Sequence, residues 1–155
     1  MHLGDLISPE AVLRSLKPKS KKQLLEELSA RSARISGLPE RDIFDVLWQR
    51  EQLGSTGLGQ GVAIPHGKLG GLKQIVGLFA QLSEPVEFDA VDGEPVDIVF
   101  LLLAPEGAGA DHLKALARIS RLLRERGSVE KLRASKDAAA LYAVLTQDEA
   151  SSHAA

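Results

Sequence analysis

The sequence predicts an α/β protein built on a mixed sheet. Three observations predict it. Apolar residues recur at helical spacing in several segments, short β-rich runs lie between them, and Asp92-Gly93 supplies a hairpin-type turn between two of those runs. Helices flank a handful of strands, in alternation at first and then with a strand-rich middle. The hairpin disfavours a wholly parallel sheet.

Taken in order, Ser8-Pro9-Glu10 reads as a helix start, with Ser at the N-cap and Pro in the first turn. Residues 13–17 lack a decisive period and admit a short strand. Ser20 and Gln23 have capping-box spacing before a helix whose Leu24, Leu25 and Leu28 share a face, and Ser36-Gly37 stops it. Pro39-Glu40 opens a second helix that buries Ile43, Val46 and Leu47. Gly54, Gly57, Gly59 and Gly61 then define a loop, followed by a short strand over 62–65. Further strands are expected at 75–82, 86–88 and 96–103, the last buried on both faces. Asp111 is a candidate cap for a helix carrying Leu116, Ile119 and Leu123. Gly127-Ser128 is expected to end that helix and cap the next. Asp137 opens a last helix with Leu141 and Leu145, and residues 147–155 are expected to fray as a tail beyond a single domain of 1–146.

The bulk properties bound the function. The 155 residues are 44% apolar and 26% charged, enough for one packed core and unlike a disordered or membrane chain. The longest apolar run, 98–104, is too short to span a bilayer. Asp5 and Ser8-Pro9 interrupt where a signal peptide would be apolar, so a soluble cytoplasmic protein without membrane insertion is expected. There is no cysteine, which excludes disulfides, thiolate nucleophiles and zinc–sulfur sites. Nineteen Lys and Arg against 21 Asp and Glu give a net charge of −2, which argues against a nucleic-acid partner. Four Phe, one Trp and one Tyr offer no platform for stacking bases.

Of four histidines, His2 and His153 sit at the termini and carry no argument. His66 follows Ile64-Pro65 and precedes Gly67. Proline holds Ile64 extended and lacks a ladder donor, so the strand is expected to end there. Alternation places Val62, Ile64 and His66 on one face, with the imidazole firmly held yet reachable and Gly67 leaving space beside it. These residues fit a presented nucleophilic nitrogen and, equally, a half-buried histidine satisfied by a backbone carbonyl. Upstream, Ser55, Thr56 and Gly57 belong to a loop with amides and hydroxyls suited to an anion or to a mere connection. It fits neither the Walker nor the dinucleotide spacing. Arg50 could bind phosphoryl oxygens in bidentate fashion or simply offset the end of its helix. His112 lies in the first turn of a helix shortly after the central strand, where sites of α/β sheets gather, though an exposed helix residue is the simpler reading. Asp89, Asp92, Glu94 and Asp97 read as a solvated turn, and Lys17, Lys19, Lys21 and Lys22 as a solvated helix start. No metal set or cofactor is expected, since two histidines without a matched carboxylate are too few ligands. A neutral imidazole can instead attack phosphorus directly, with positioning and nearby positive charge supplying the rest.

The stretch from Arg50 through Gly54-Ser55-Thr56-Gly57-Leu58-Gly59-Gln60-Gly61-Val62-Ala63-Ile64-Pro65-His66-Gly67 to Lys68 resembles the signature of enzyme IIA domains of the mannitol/fructose class. These belong to the bacterial phosphoenolpyruvate-dependent phosphotransferase system. The likeness continues through Phe88-Asp89-Ala90, residues 95–100 and His112-Leu113. It implies a mixed, mostly five-stranded sheet with helices on both faces. It implies that His66 accepts the phosphoryl group, that His112 is the second active-site histidine and that Arg50 is the active-site arginine, with Ser55 and Thr56 in the loop beside them. The wording of residues 54–57 and 67–69 is most similar to the nitrogen-regulatory branch, for which no attached transporter or enzyme IIB domain is expected. The resemblance implies a histidine-containing phosphocarrier as donor. It also implies regulated partners such as sensor kinases or potassium transporters, in nitrogen, carbon or potassium regulation. A sugar-specific enzyme IIA feeding a separate enzyme IIB is the alternative, and a non-catalytic anion-binding regulatory module is another. Gln60 and the loop 105–110 depart mildly from the family wording.

Overall fold

The structure, a computed structural model, describes residues 2–154, with side chains up to residue 147. Two short 3-10 turns, Leu3–Asp5 and Pro9–Ala11, lead into β1 (Val12–Leu16), α1 (Lys21–Ser36) and α2 (Glu40–Gln52). Next come β2 (Gly57–Gly59), β3 (Val62–Ala63), β4 (His66–Leu69), β5 (Val76–Val86) and β6 (Val96–Pro105). Three helices close the chain: α3 (Ala110–Arg124), α4 (Arg126–Ala134) and α5 (Ala138–Ala154). Of the tail expected at 147–155, Ala155 and the side chains from 148 onward lie outside the described residues.

Local chemistry explains most boundaries. Ser20 accepts the Gln23 amide at 3.0 Å and opens α1, while Gln23 Oε1 reaches back to the Lys19 amide at 2.6 Å. Gly37, at φ 78, ends that helix in the left-handed conformation glycine adopts freely. Asp137 Oδ1 accepts the Ala140 amide at 2.7 Å and caps α5. Asp137→Ala is therefore expected to cost about 1 kcal/mol of stability in urea unfolding. A loss indistinguishable from zero would show that the amide is satisfied by solvent.

Several boundaries differ from the sequence-based expectation. Ser8-Pro9-Glu10 opens only a single 3-10 turn before β1 takes over. Asp111 lies inside the first turn of α3, whose N-cap is Gly109 at φ 54. The break between α3 and α4 is Glu125, in extended conformation, and Gly127-Ser128 belong to the first turn of α4. The strand expected at 75–82 runs on to Val86 as the single β5, with irregular pairing to β6 between Gln81 and Val86. Of the strand expected at 86–88, only Val86 is extended into the sheet, while Glu87 and Phe88 lie outside it.

The six strands are ordered β1-β5-β6-β3-β2, and β4 pairs with β6 beyond β3. β1 runs parallel to β5, β3 and β4 run parallel to β6, and the β5–β6 and β2–β3 pairs are antiparallel. The sheet is mixed, as expected. The sixth strand arises because one extended segment counts twice: β3 and β4 are interrupted only at Ile64-Pro65. β6 is the centre, with residues 98–104 all at 0% exposure. Opposite faces carry different helices. Gly67 faces Val46 of α2, while Gln81, of the other parity, donates to the Leu132 and Ser135 carbonyls at the end of α4. Among the described residues no helix is long and apolar enough to cross a membrane.

The acidic cluster is more than a solvated turn. Asp92 Oδ2 accepts the Gln60 amide at 2.8 Å, and backbone donors hold its carboxyl below the usual range. Asp97 pairs with Arg133 at 2.9 Å, and the same guanidinium donates to the Gln60 carbonyl at 2.6 Å. These contacts fix the β2–β3 turn, where Gln60 takes φ 58.

Candidate active site

His66 opens β4. The strand was expected to end at Pro65, but pairing resumes with His66 opposite Leu102. Proline lacks a donor, yet its carbonyl still accepts the Leu102 amide at 3.0 Å, which carries the ladder across the break. The imidazole is half-buried. Its Nδ1 lies 2.8 Å from the Ile64 carbonyl. A carbonyl only accepts, so Nδ1 carries the proton and, in the neutral ring, Nε2 carries the lone pair. Gly67 does not leave space beside the ring as expected. A Cβ there would collide with Cγ1 of Val46, so the glycine lets α2 close on the opposite face of β4.

His112 stands in the first turn of α3, its ring centroid 5.8 Å from that of His66 and the planes inclined by 58°. It is 7% exposed, contrary to the simpler reading of a surface helix residue, and its Nε2 is buried without a hydrogen-bond partner among the described residues. Burial lowers its pKa from the ordinary 6.5, assisted by the nearby His66 and Lys68. Burial is also the largest cause lowering the pKa of His66. The Ile64 carbonyl and Glu51 oppose that shift, and the Arg50 charge reinforces it. Both rings are accordingly neutral at neutral pH.

The stability consequence has a definite sign. Each depressed histidine takes up its proton less readily folded than unfolded, so stability is fully present above about pH 6.5 and falls as pH drops toward the folded-state values. Thermal midpoints should decline on acidification from about pH 7.5 to about pH 5.5. NMR titration should place both imidazole midpoints below 6.5. A midpoint above that value would overturn the assignment of burial as the dominant cause.

Arg50, in the last turn of α2, donates from Nη1 to the Gly54 carbonyl at 2.8 Å. It thereby ties the helix end to the loop, and its charge reaches His66. Ser55 and Thr56 have their hydroxyls committed inside the loop. Ser55 Oγ donates to the Phe88 carbonyl at 3.0 Å and accepts the Gly57 amide at 3.1 Å. Thr56, 6% exposed, donates both its amide (3.0 Å) and its hydroxyl to the Glu51 carboxylate. Gly57 is where the loop passes Ala90: an added Cβ would lie 2.8 Å from the Ala90 Cβ.

Two residues escaped the sequence reading. Glu51 is buried at 5% exposure and pairs with Lys21 at 3.0 Å. Lys21 was expected to be solvated with its lysine neighbours, but its Nζ sits 4.5 Å from the Phe88 ring centroid. The signal for Glu51 was present: Ile43, Leu47 and Glu51 recur every four residues, so the buried stripe of α2 runs onto a carboxylate. Lys21 gave no such signal. Among the described residues no group of three or more His, Asp or Glu is placed to hold a metal ion.

The fold recurs among known proteins. The family described as "Phosphoenolpyruvate-dependent sugar phosphotransferase system, EIIA 2" matches residues 5–148. The chain is 62% identical over 145 residues to a nitrogen regulatory protein of Bradyrhizobium diazoefficiens, covering 94% of this chain and 95% of that one. It is similar to the crystal structure of nitrogen regulatory protein IIA-Ntr from Neisseria meningitidis, with a TM-score of 0.89, 42% identity, and coverage of 93% of this chain and 99% of that one. The crystal structure of IIA mannitol from Escherichia coli shares the fold alone, at TM-score 0.76 and 18% identity over 89% of this chain and 97% of that one. With a match from residue 5 to residue 148 and relatives aligned nearly end to end, the chain belongs to the EIIA 2 family of the phosphoenolpyruvate-dependent sugar phosphotransferase system.

Proposed function

We propose that this protein is a phosphohistidine carrier. In this reading His66 accepts phosphate from a histidine-containing phosphocarrier, and the phosphorylation state then regulates partner proteins. The observation that carries the proposal is the His66 ring itself: Nδ1–H is held by the Ile64 carbonyl, Nε2 keeps its lone pair, and the pKa is low enough to keep that lone pair at neutral pH. Nε2 attacks the phosphorus of the donor phosphohistidine. The new P–N bond forms as the donor's P–N bond breaks, and the donor imidazole leaves with the bonding electron pair. Positive charge gained by the His66 ring is stabilised through Nδ1–H by the Ile64 carbonyl and by Glu51. Arg50 supplies positive potential for the phosphoryl oxygens. His112 is neutral before transfer, so its contribution is a ring nitrogen free to bond a phosphoryl oxygen rather than a standing charge.

The nitrogen-regulatory relatives support a regulatory output over sugar uptake. Sensor kinases and potassium transporters are the partner classes to test, in the cytoplasm. The experiment combines the protein with phosphoenolpyruvate, enzyme I and the phosphocarrier, then locates phosphate by mass spectrometry under alkaline conditions. Phosphate on His66 is expected. A relay active on a control substrate that leaves this chain unmodified would leave only an anion-binding module. Rapid onward transfer to a purified fructose- or mannitol-type enzyme IIB would replace regulation with sugar transport.

A further inference from the structure

We propose that Glu51, paired with Lys21, is a positioning residue for the phosphoryl acceptor and acts on His66 through Thr56 and Ile64. The proposal rests on the phosphocarrier reading for its consequence, though its structural content can be measured without phosphate.

The contacts form an unbroken series. Lys21 Nζ pairs with Glu51 Oε1 at 3.0 Å. The same carboxylate receives the Thr56 amide at 3.0 Å and the Thr56 hydroxyl. The Thr56 carbonyl accepts the Ile64 amide at 3.1 Å. The Ile64 carbonyl accepts His66 Nδ1–H at 2.8 Å. The first turn of α1, the end of α2, the loop and the broken strand are thus tied in sequence to one imidazole nitrogen. That last bond selects the tautomer, so whatever holds Ile64 also decides which nitrogen is free.

Stability alone is a poor account of this pair. The Glu51 side chain has 0% exposure and that of Lys21 14%. Buried ion pairs are costly to desolvate, and apolar residues of similar volume often serve stability as well. What an apolar pair would not do is bind both donors of Thr56. Phe88 closes the cluster, with its ring facing Lys21 Nζ and its carbonyl taking the Ser55 hydroxyl. The buried carboxylate does not reach substrate. Its influence on His66 is by orientation and by charge, within a field that also includes Arg50 beside it on α2, His112 on α3 and Lys68 on β4.

The test uses the full chain with 15N-labelled histidine and two variants, Glu51→Gln and Lys21→Met. Three quantities are read: the His66 tautomer and titration midpoint by NMR, the single-turnover rate of phosphate transfer from the phosphorylated carrier, and the thermal midpoint. Glu51→Gln should lower the Nδ1–H fraction of His66, move its titration to lower pH and slow transfer about tenfold or more. Lys21→Met leaves the Glu51 charge without its counter-ion and should move the titration the opposite way, to higher pH. A lowered thermal midpoint with unchanged tautomer and titration in both variants would make the pair purely structural and overturn the proposal. Shifts of the same sign in both would overturn it as well. If one variant does not fold, the sign in the other decides. A wild-type chain that takes no phosphate from an active relay would sink the carrier reading separately, and the positioning claim would then stand or fall on tautomer and titration.

Discussion

His66→Ala is expected to abolish covalent phosphorylation completely while leaving the fold intact. The ring is half-buried and makes one hydrogen bond, to Ile64, so its removal should change stability by roughly 1 kcal/mol or less. His112 is no substitute as acceptor. It is 7% exposed with Nε2 buried, so direct attack on an incoming phosphohistidine is not expected of it. Acid-labile, base-stable phosphate should therefore vanish, with an unaltered circular dichroism spectrum. Phosphate found on His112 in this variant would show that the two rings exchange roles and that burial does not select the acceptor.

Phe100→Ala is expected to remove about 3–5 kcal/mol of folding stability, the upper range for emptying a core site. Phe100 is fully buried at the middle of β6, opposite Phe79 on β5. Its ring lies across Gly77 of the neighbouring strand: a Cβ built there would fall 2.9 Å from Phe100 Cε1. Gly77 has no side chain to fill the void, and its amide is tied to the Leu6 carbonyl at 2.8 Å. Urea unfolding should show a lower midpoint with an unchanged slope. A loss under about 1 kcal/mol would mean that the surrounding leucines collapse into the space.

Fold class and the central strand were legible because each rests on a strong local signal. Local sequence left His66 open between two readings and favoured an exposed helix residue at His112, so that only the family resemblance singled the pair out. Residues 96–103 form an uninterrupted apolar, β-rich run, and the Pro65-His66-Gly67 sequence allows few backbone courses. Strand continuation past Pro65 was not legible. Losing one donor is tolerable when the carbonyl still pairs, and only the neighbouring strand reveals that it does. The α3–α4 boundary was misplaced for a similar reason. Glycine and serine are punctuation when nothing else decides, whereas here the chain turns at Glu125 so that Val129 and Leu132 reach the core. In sequence the loop carrying the Ser55 and Thr56 hydroxyls suited an anion or a mere connection equally. Their partners, Phe88 and Glu51, are brought to them by tertiary structure, and that commits them to holding the loop.

The interruption at Ile64-Pro65 gives β3 and β4 a shared reading frame. Val62 lies opposite Ile98 and His66 opposite Leu102, so the two halves count along β6 without a skipped residue. Side chains of a strand alternate in space, and a frame shift of one residue exchanges its two faces. Deleting or inserting a single residue between Ala63 and His66 would turn the imidazole toward Val46 and α2 and away from His112, even with every residue of the motif still present. The motif therefore works as a ruler as much as a set of chemical groups: its length decides which side of the sheet carries the chemistry.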